Sequence, residues 1–145
     1  MTDLSVDTER AERRQVAALL WRDGPDGIEI LLVTSRETRR WVTPKGGRMV
    51  GKTDAEAAAQ EAWEEAGVRG PASSEPIGTF RYLKRLKRRA PRWCVVALHA
   101  MRVEVEFDDW PEAHERERRW MSRAAAAAAV DEGDLRVLLA DFSGN

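Results

Sequence analysis

At 145 residues, with 43% hydrophobic and 34% charged residues, the chain has the balance of one soluble globular domain and excludes a disordered one. Its formal net charge of −1 excludes a global pull toward nucleic acid or membrane, so only local charge clusters can select a ligand. The lone cysteine, Cys94, excludes an internal disulfide and reads as a small buried hydrophobe within an apolar run.

Residues 1–12 are polar, lack an apolar signal core and read as a loose tail, with one domain expected over residues 13–145. No apolar run reaches the length of a membrane span, so a cytoplasmic protein without a membrane partner is expected. Residues 15–21 read as a strand, residues 23–27 (Asp-Gly-Pro-Asp-Gly) as a turn, and residues 28–34 as a second, β-branched strand. The two should pair as a hairpin. Residues 35–40 form a polar connection, and Trp41-Val42 leads into a loop at Pro44.

A helix is expected after Thr53. Thr53 and Glu56 make a capping box, Asp54 and Glu56 suit the positive end of the dipole, and Gly67 is placed to end the helix. At about 100° per residue, Ala55, Ala59, Ala62, Trp63 and Ala66 face one way, with Trp63 the expected anchor on a sheet. Glu61, Glu64 and Glu65 face the other way. Like charges at these offsets repel, and the last helical turn disfavours negative charge. A bound divalent cation would offset both effects, because hard cations prefer carboxylate oxygens.

Further along, residues 69–74 read as a loop and residues 76–83 as a strand with Ile77 and Phe80 as apolar members. Residues 84–91 form a basic loop. Residues 93–105 read as one long strand whose uninterrupted centre, residues 94–98, suggests burial on both faces. Residues 108–116 are acidic and loop-like, and residues 119–121 suit a short strand. Ser122 resembles an N-cap for the alanine run 124–129. A final helix is expected over residues 131–142, with Leu135, Leu138, Leu139 and Phe142 on one stripe. Strands mixed with few helices indicate an α/β or α+β sandwich.

The stretch from Gly46 to Val68 resembles the box of the Nudix hydrolase family, GX5EX7REUXEEXGU. Glu61, Glu64, Glu65, Gly67 and Val68 match it. Lys52 stands where the family has its first Glu, Gln60 where it has Arg, and Ala62 replaces the aliphatic residue. Those two family residues mainly brace the loop and helix, so the departures bear more on loop geometry than on the metal-holding carboxylates. The resemblance implies a Nudix-type α/β/α sandwich with a mixed β-sheet. It also implies metal-dependent hydrolysis of a nucleoside diphosphate linked to another group, or of a related polyphosphate, by water attack at phosphorus. Magnesium is the expected cofactor, with manganese as the alternative. Glu61 and Glu65, one turn apart, are the first-choice metal ligands, Glu64 is the third, and the Gly46 carbonyl is a further one by resemblance.

In this family a distal acid often supplies the general base. The stretch Glu112-Ala113-His114-Glu115-Arg116-Glu117 offers candidates, of which Glu115 is the one chosen, and a solvated loop is the alternative for all of them. His114 has a suitable intrinsic pKa, but a solvated loop is its simpler reading; His99, in an apolar strand, reads as structural. Arg81, Lys84, Arg85, Lys87, Arg88, Arg89 and Arg92 fall within twelve residues containing no acid. Arg39, Arg40, Lys45, Arg48 and Lys52 form a second basic group around the glycine loop. Such clusters attract polyanions, and an ordinary solvated hairpin tip is the equal alternative for the basic loop; Lys45, Arg48, Lys52, Arg81 and Lys84 are the candidate substrate contacts. The order of residues 80–84, the basic loop, the long strand, Trp110-Pro111-Glu112, residues 118–120 and two terminal helices is similar to the diphosphoinositol polyphosphate phosphohydrolase branch. That likeness implies an inositol pyrophosphate or dinucleoside polyphosphate as substrate.

Two other readings stand beside this one. A non-catalytic Nudix-fold nucleotide sensor or RNA-binding module would explain Lys52 and Gln60, and basic residues interleaved with Phe80, Tyr82 and Trp93 suit single-stranded nucleic acid. A structural partner protein could use the alanine-rich helix as an interface. Monomer and homodimer both remain open.

Overall fold

The structure, a computed structural model, describes residues 13–144; the tail expected at residues 1–12, and Asn145, lie outside the described residues. The elements run β1 (Arg13–Gly24), β2 (Gly27–Thr34), β3 (Trp41–Val42), β4 (Lys45–Gly47), α1 (Asp54–Ala66), β5 (Val68–Arg69), β6 (Gly78–Lys84), β7 (Arg92–Arg102), β8 (Val105–Glu106), β9 (Arg118–Ser122), α2 (Arg123–Ala129) and α3 (Gly133–Asp141). The expected hairpin forms, with Leu20 opposite Leu31 and Gly24 opposite Gly27.

Seven strands make one mixed sheet in the order β3-β2-β1-β7-β6, with β4 added to β1 and β9 to β2. Among the described residues, only β1 and β7 run parallel. They flank the sheet's centre, and Val16–Leu20 of β1 are buried on both faces, as expected of a central parallel pair. On one face, α1 lays Ala57, Ala58, Ala62 and Ala66 against Val16, Ala18, Leu20, Leu31 and Val33. On the other, Ala126, Val130, Leu135, Leu139 and Phe142 cover Leu19, Trp21, Ile30, Phe80 and Val96. The result is the α/β/α sandwich with a mixed sheet expected from the sequence.

The register positions the site. β1 and β2 pair only between Leu20–Gly24 and Gly27–Leu31. Beyond that point they splay. β3 follows β2 at Val33 and Thr34, while β4 follows β1 at Gln15–Ala17. The gap between the diverging strands therefore contains the glycine loop, and one end of α1 lies over it.

Four local expectations need correction. The packing face of α1 is turned: Ala55, Ala57, Ala58, Ala62, Glu65 and Ala66 are buried, whereas Ala59 is only partly so. Trp63 is not the anchor on the sheet. It packs edge-on against Phe107, ring centroids 5.1 Å apart, because residues 107–116 enclose that side of the helix. In β7, burial on both faces begins at Leu98 rather than Cys94, since Val95 and Ala97 line a groove with Arg14 and Arg48 that only the first residue of α1, Asp54, reaches. The long strand also stops at Arg102. Val105–Glu106 separates as β8 and pairs with Val68–Arg69, where a loop was expected.

Candidate active site

The site grows from the two ends of α1. At its start, Thr53 Oγ1 accepts from Glu56 N at 3.1 Å and Glu56 Oε1 accepts from Thr53 N at 2.8 Å, the reciprocal box read from the sequence. At its end, Gly67 takes the left-handed conformation, φ 67°, and a Cβ there would strike the Trp110 ring.

The last turn holds no basic residue, yet it ends in acids. The loop and strand after β8 supply what is missing. The carbonyls of Glu64, Glu65, Ala66 and Gly67 accept in turn from Glu112 N, Trp110 Nε1, Arg118 Nη1 and Phe107 N. The Arg118 guanidinium also donates to the Phe107 carbonyl at 2.6 Å and stacks on Trp110 at 4.0 Å. A cation from β9 thus neutralises the negative pole of the helix, which lets carboxylates occupy its final turn. Arg118→Ala should lower folding stability by about 2–3 kcal/mol, from lost charge-assisted bonds and dipole stabilisation, as read from urea midpoints.

Glu61 and Glu65 are brought together, close enough for each carboxyl to perturb the other. Glu65 is buried, and burial pushes its carboxyl up to about 8, against the opposing charges of Arg116 and Lys45. Burial raises Glu61 as well, and the nearby Glu64 and Glu112 charges act in the same direction. Gly46 lies hard against Glu61, so that a Cβ would overlap its carboxylate. The third predicted acid, Glu64, turns aside and accepts from Gln60 Nε2 at 2.7 Å. Among the described residues no three acidic, histidine or cysteine side chains converge as a ready-made metal cage. The Glu61–Glu65 pair still fits a divalent cation. Two hard-oxygen carboxyls stand side by side, and the glycine backbone of Gly46 leaves room beside Glu61 that a Cβ would fill.

An open cleft of about 430 Å³ adjoins this pair. Gln15, Lys45, Gly46, Gly47, Glu65, Tyr82, Lys84 and Arg116 are among its lining residues. The Lys45 ammonium sits 4.8 Å over the Tyr82 ring, and burial lowers its pKa although Glu65 opposes the shift. Tyr82 Oη donates to Gln15 Oε1 at 2.7 Å, fixing that wall. A second cleft of about 640 Å³ shares Lys45, Tyr82 and Lys84 with the first and adds Arg40, Arg85 and Glu115.

Of the predicted substrate contacts, the structure therefore brings Lys45 and Lys84 to the clefts. Arg48 is bound to Asp54 at 3.0 Å, Lys52 is exposed beside Glu56 near the start of α1, and Arg81 lies over Trp93. None of these three lines either cleft. Glu115 lies on the wall of the second cleft, with Oε1 3.9 Å from Arg36. His114 is exposed; His99 is buried, with Nδ1 2.9 Å from the Ser73 carbonyl.

Glu112 lies in the stretch that offers general-base candidates, but its place here is as the partner of Arg116; Arg116, Gln15 and Tyr82 are not among the residues expected at a hydrolytic site. Arg116 joins three elements: Nε donates to Glu112 Oε1 at 2.8 Å, Nη1 donates to the Thr34 carbonyl at 3.0 Å, and Nη2 lies 3.7 Å from Glu65 Oε1. The sequence signals were the Glu112–Arg116 spacing of four and the absence of a cation at Gln60, both readable only once the loop is known to meet the helix.

Residues 11–142 match the NUDIX domain model. Nudix hydrolase 12, mitochondrial, of Arabidopsis thaliana is 37% identical over 98 residues, covering 66% of this chain and 48% of that protein. Diphosphoinositol polyphosphate phosphohydrolase 3-beta of Homo sapiens is 27% identical over 110 residues, covering 74% of this chain and 63% of its own length. The chain spans about half the length of the curated relatives it matches first. Among solved structures, the C. elegans Ap4A hydrolase superposes with a TM-score of 0.60 at 21% identity, covering 88% of this chain and 92% of that one, which supports the shared fold. The chain belongs to the Nudix hydrolase family.

Proposed function

We propose that this Nudix domain hydrolyses a phosphoanhydride bond of a highly charged polyphosphate, of the dinucleoside polyphosphate or inositol pyrophosphate class. The observation that carries the reading is the Glu61–Glu65 pair, whose buried member Glu65 lines a cleft together with Lys45, Lys84 and Arg116. The names of two similar proteins, an Ap4A hydrolase and a diphosphoinositol polyphosphate phosphohydrolase, support the substrate class.

Glu61 and Glu65 would hold the divalent cation, magnesium with manganese as alternative, beside the Gly46 backbone; Glu64 adjoins them as the third acid. The bound cation would supply charge to phosphate oxygens and lower the pKa of the attacking water. Lys45 presents a fixed ammonium next to Glu65 for a non-bridging phosphate oxygen. Lys84 and Arg85 extend the positive wall outward for the remaining phosphates. Glu115 is the proposed general base, acting from the second cleft.

Substrate length tests this assignment. The double variant Lys84→Ala/Arg85→Ala should raise KM about tenfold for a substrate with five or more phosphates and much less for one with three, in line with long-range attraction. Arg88→Ala, outside both clefts, should change neither. An equal KM increase for every substrate length would count against a polyphosphate-tracking wall.

A further inference from the structure

We infer that Arg116 is the resident counter-charge of the Glu61–Glu65 pair, the group a divalent cation displaces, and that this exchange couples metal loading to the loop of residues 108–116. The inference rests on the reading that those two glutamates hold the cation. Its starting point is a charge balance. Glu61, Glu65 and Glu112 meet Lys45 and Arg116 in one partly or wholly buried cluster. The helix brings no cation of its own, because Gln60 offers only a neutral amide and spends it on Glu64. The positive charge therefore comes from outside the helix, Lys45 from β4 and Arg116 from the loop.

Arg116 is built to be shared. Its side chain is only 9% exposed, and its guanidinium is held to the Thr34 carbonyl, so it has little freedom to leave. Yet it sits between two carboxylates at unequal distances, 2.8 Å from Glu112 and 3.7 Å from Glu65. Doubly positive charge placed on Glu61 and Glu65 repels the guanidinium toward Glu112, already its nearer partner. Glu112 is in turn tied to α1, since its N–H donates to the Glu64 carbonyl at 3.0 Å. A shift of Arg116 is thereby felt by the loop that seals the end of the helix. Arg116 acts here as a positioning residue, and its presence makes the site weaker for metal than the carboxylates alone would be.

Manganese titration of the whole chain, with free ion followed by electron paramagnetic resonance, tests this without any turnover. Wild type should bind Mn²⁺ and Glu65→Gln should lose that binding. Arg116→Gln should bind at least about tenfold more tightly, as expected for removing a like charge a few ångströms away. A residue with only a structural role would give the opposite sign when removed. Glu112→Gln should weaken binding, and the weakening should shrink in the Arg116→Gln background, a non-additivity that marks direct coupling. Amide exchange over residues 108–116 should change with Mn²⁺ in wild type and change less in Arg116→Gln. A folded Arg116→Gln with unchanged or weaker affinity overturns the inference alone. If that variant does not fold, an unchanged affinity in Glu112→Gln overturns it. A wild-type chain that binds no Mn²⁺ removes the carboxylate-site reading and this inference with it.

Discussion

Glu65→Gln should lower kcat for metal-dependent hydrolysis by about 10³-fold or more, the scale of several kcal/mol of transition-state stabilisation lost with the metal. The same change should leave the fold intact. In the absence of metal it should even stabilise the protein at pH 8. Glu65 is pushed up to about 8 from an ordinary 4.5, and burial is the main cause. Between those values the folded chain holds a proton that the unfolded chain has released. That contribution to stability is complete below 4.5 and is lost as pH rises through about 8. The raised Glu61 adds in the same direction. Metal-free wild type should therefore melt lower at pH 8 than at about pH 5. Glu65→Gln should flatten that slope, and millimolar magnesium should raise the wild-type Tm at pH 8 but not the variant's. Scanning calorimetry at the two pH values, with and without magnesium, checks all three statements.

Gly46→Ala is the second change with a large expected effect. Gly46 pairs with Val16 between the splayed strands, and a Cβ there would overlap the Glu61 carboxylate. The backbone of β4 is fixed by β1, so Glu61 must be the part that moves. If Glu61 holds the cation as proposed, displacing its carboxylate by about an ångström should reduce kcat about 100-fold, while KM for a polyphosphate substrate changes little. The circular dichroism spectrum should stay that of the wild type, because β4 needs no glycine dihedral at this position. Gly47→Ala, where a Cβ meets nothing, is the matched control and should retain activity. Equal loss in both variants would place the effect in the loop rather than at Glu61.

The parts of the fold read correctly from the sequence are those set by neighbouring residues. The capping box at Thr53, the stop at Gly67, the hairpin through residues 23–27 and the Ser122 cap all follow from local hydrogen bonding and dihedral preference. The pairing of Glu61 with Glu65 was readable from helical periodicity. The burial of Glu65 was not, because it depends on how the loop before Arg118 wraps the helix. An isolated wheel with one packing face and one charged face misplaces both Glu65 and Trp63. Helix α1 is bracketed by the sheet on one side and by Phe107, Trp110 and Glu112 on another.

Long-range placement explains the other differences. Five cations were expected at the substrate. Lys45 and Lys84 reach the clefts, because β4 lies in the splay of β1 and β2, and Lys84 ends β6 at the same edge. Arg81 shares a strand with Lys84, but its offset of three residues puts it on the other face. Arg48 precedes α1 and is neutralised by Asp54. Arg116 was hidden for the converse reason: its importance comes from elements distant in sequence, Thr34 and Glu65, that only the tertiary fold brings to it.

The central claim is that the Glu61–Glu65 pair supports metal-dependent cleavage of a phosphoanhydride bond. Phosphate and pyrophosphate release should be measured over diadenosine polyphosphates, inositol pyrophosphates, ADP-ribose, nucleoside triphosphates and 5′-triphosphate RNA, each with magnesium and with chelator. We predict turnover of at least one highly charged polyphosphate that needs magnesium and disappears in Glu65→Gln. Turnover that survives chelation or the Glu65→Gln change would contradict the account, as would silence across the panel combined with salt-sensitive RNA binding.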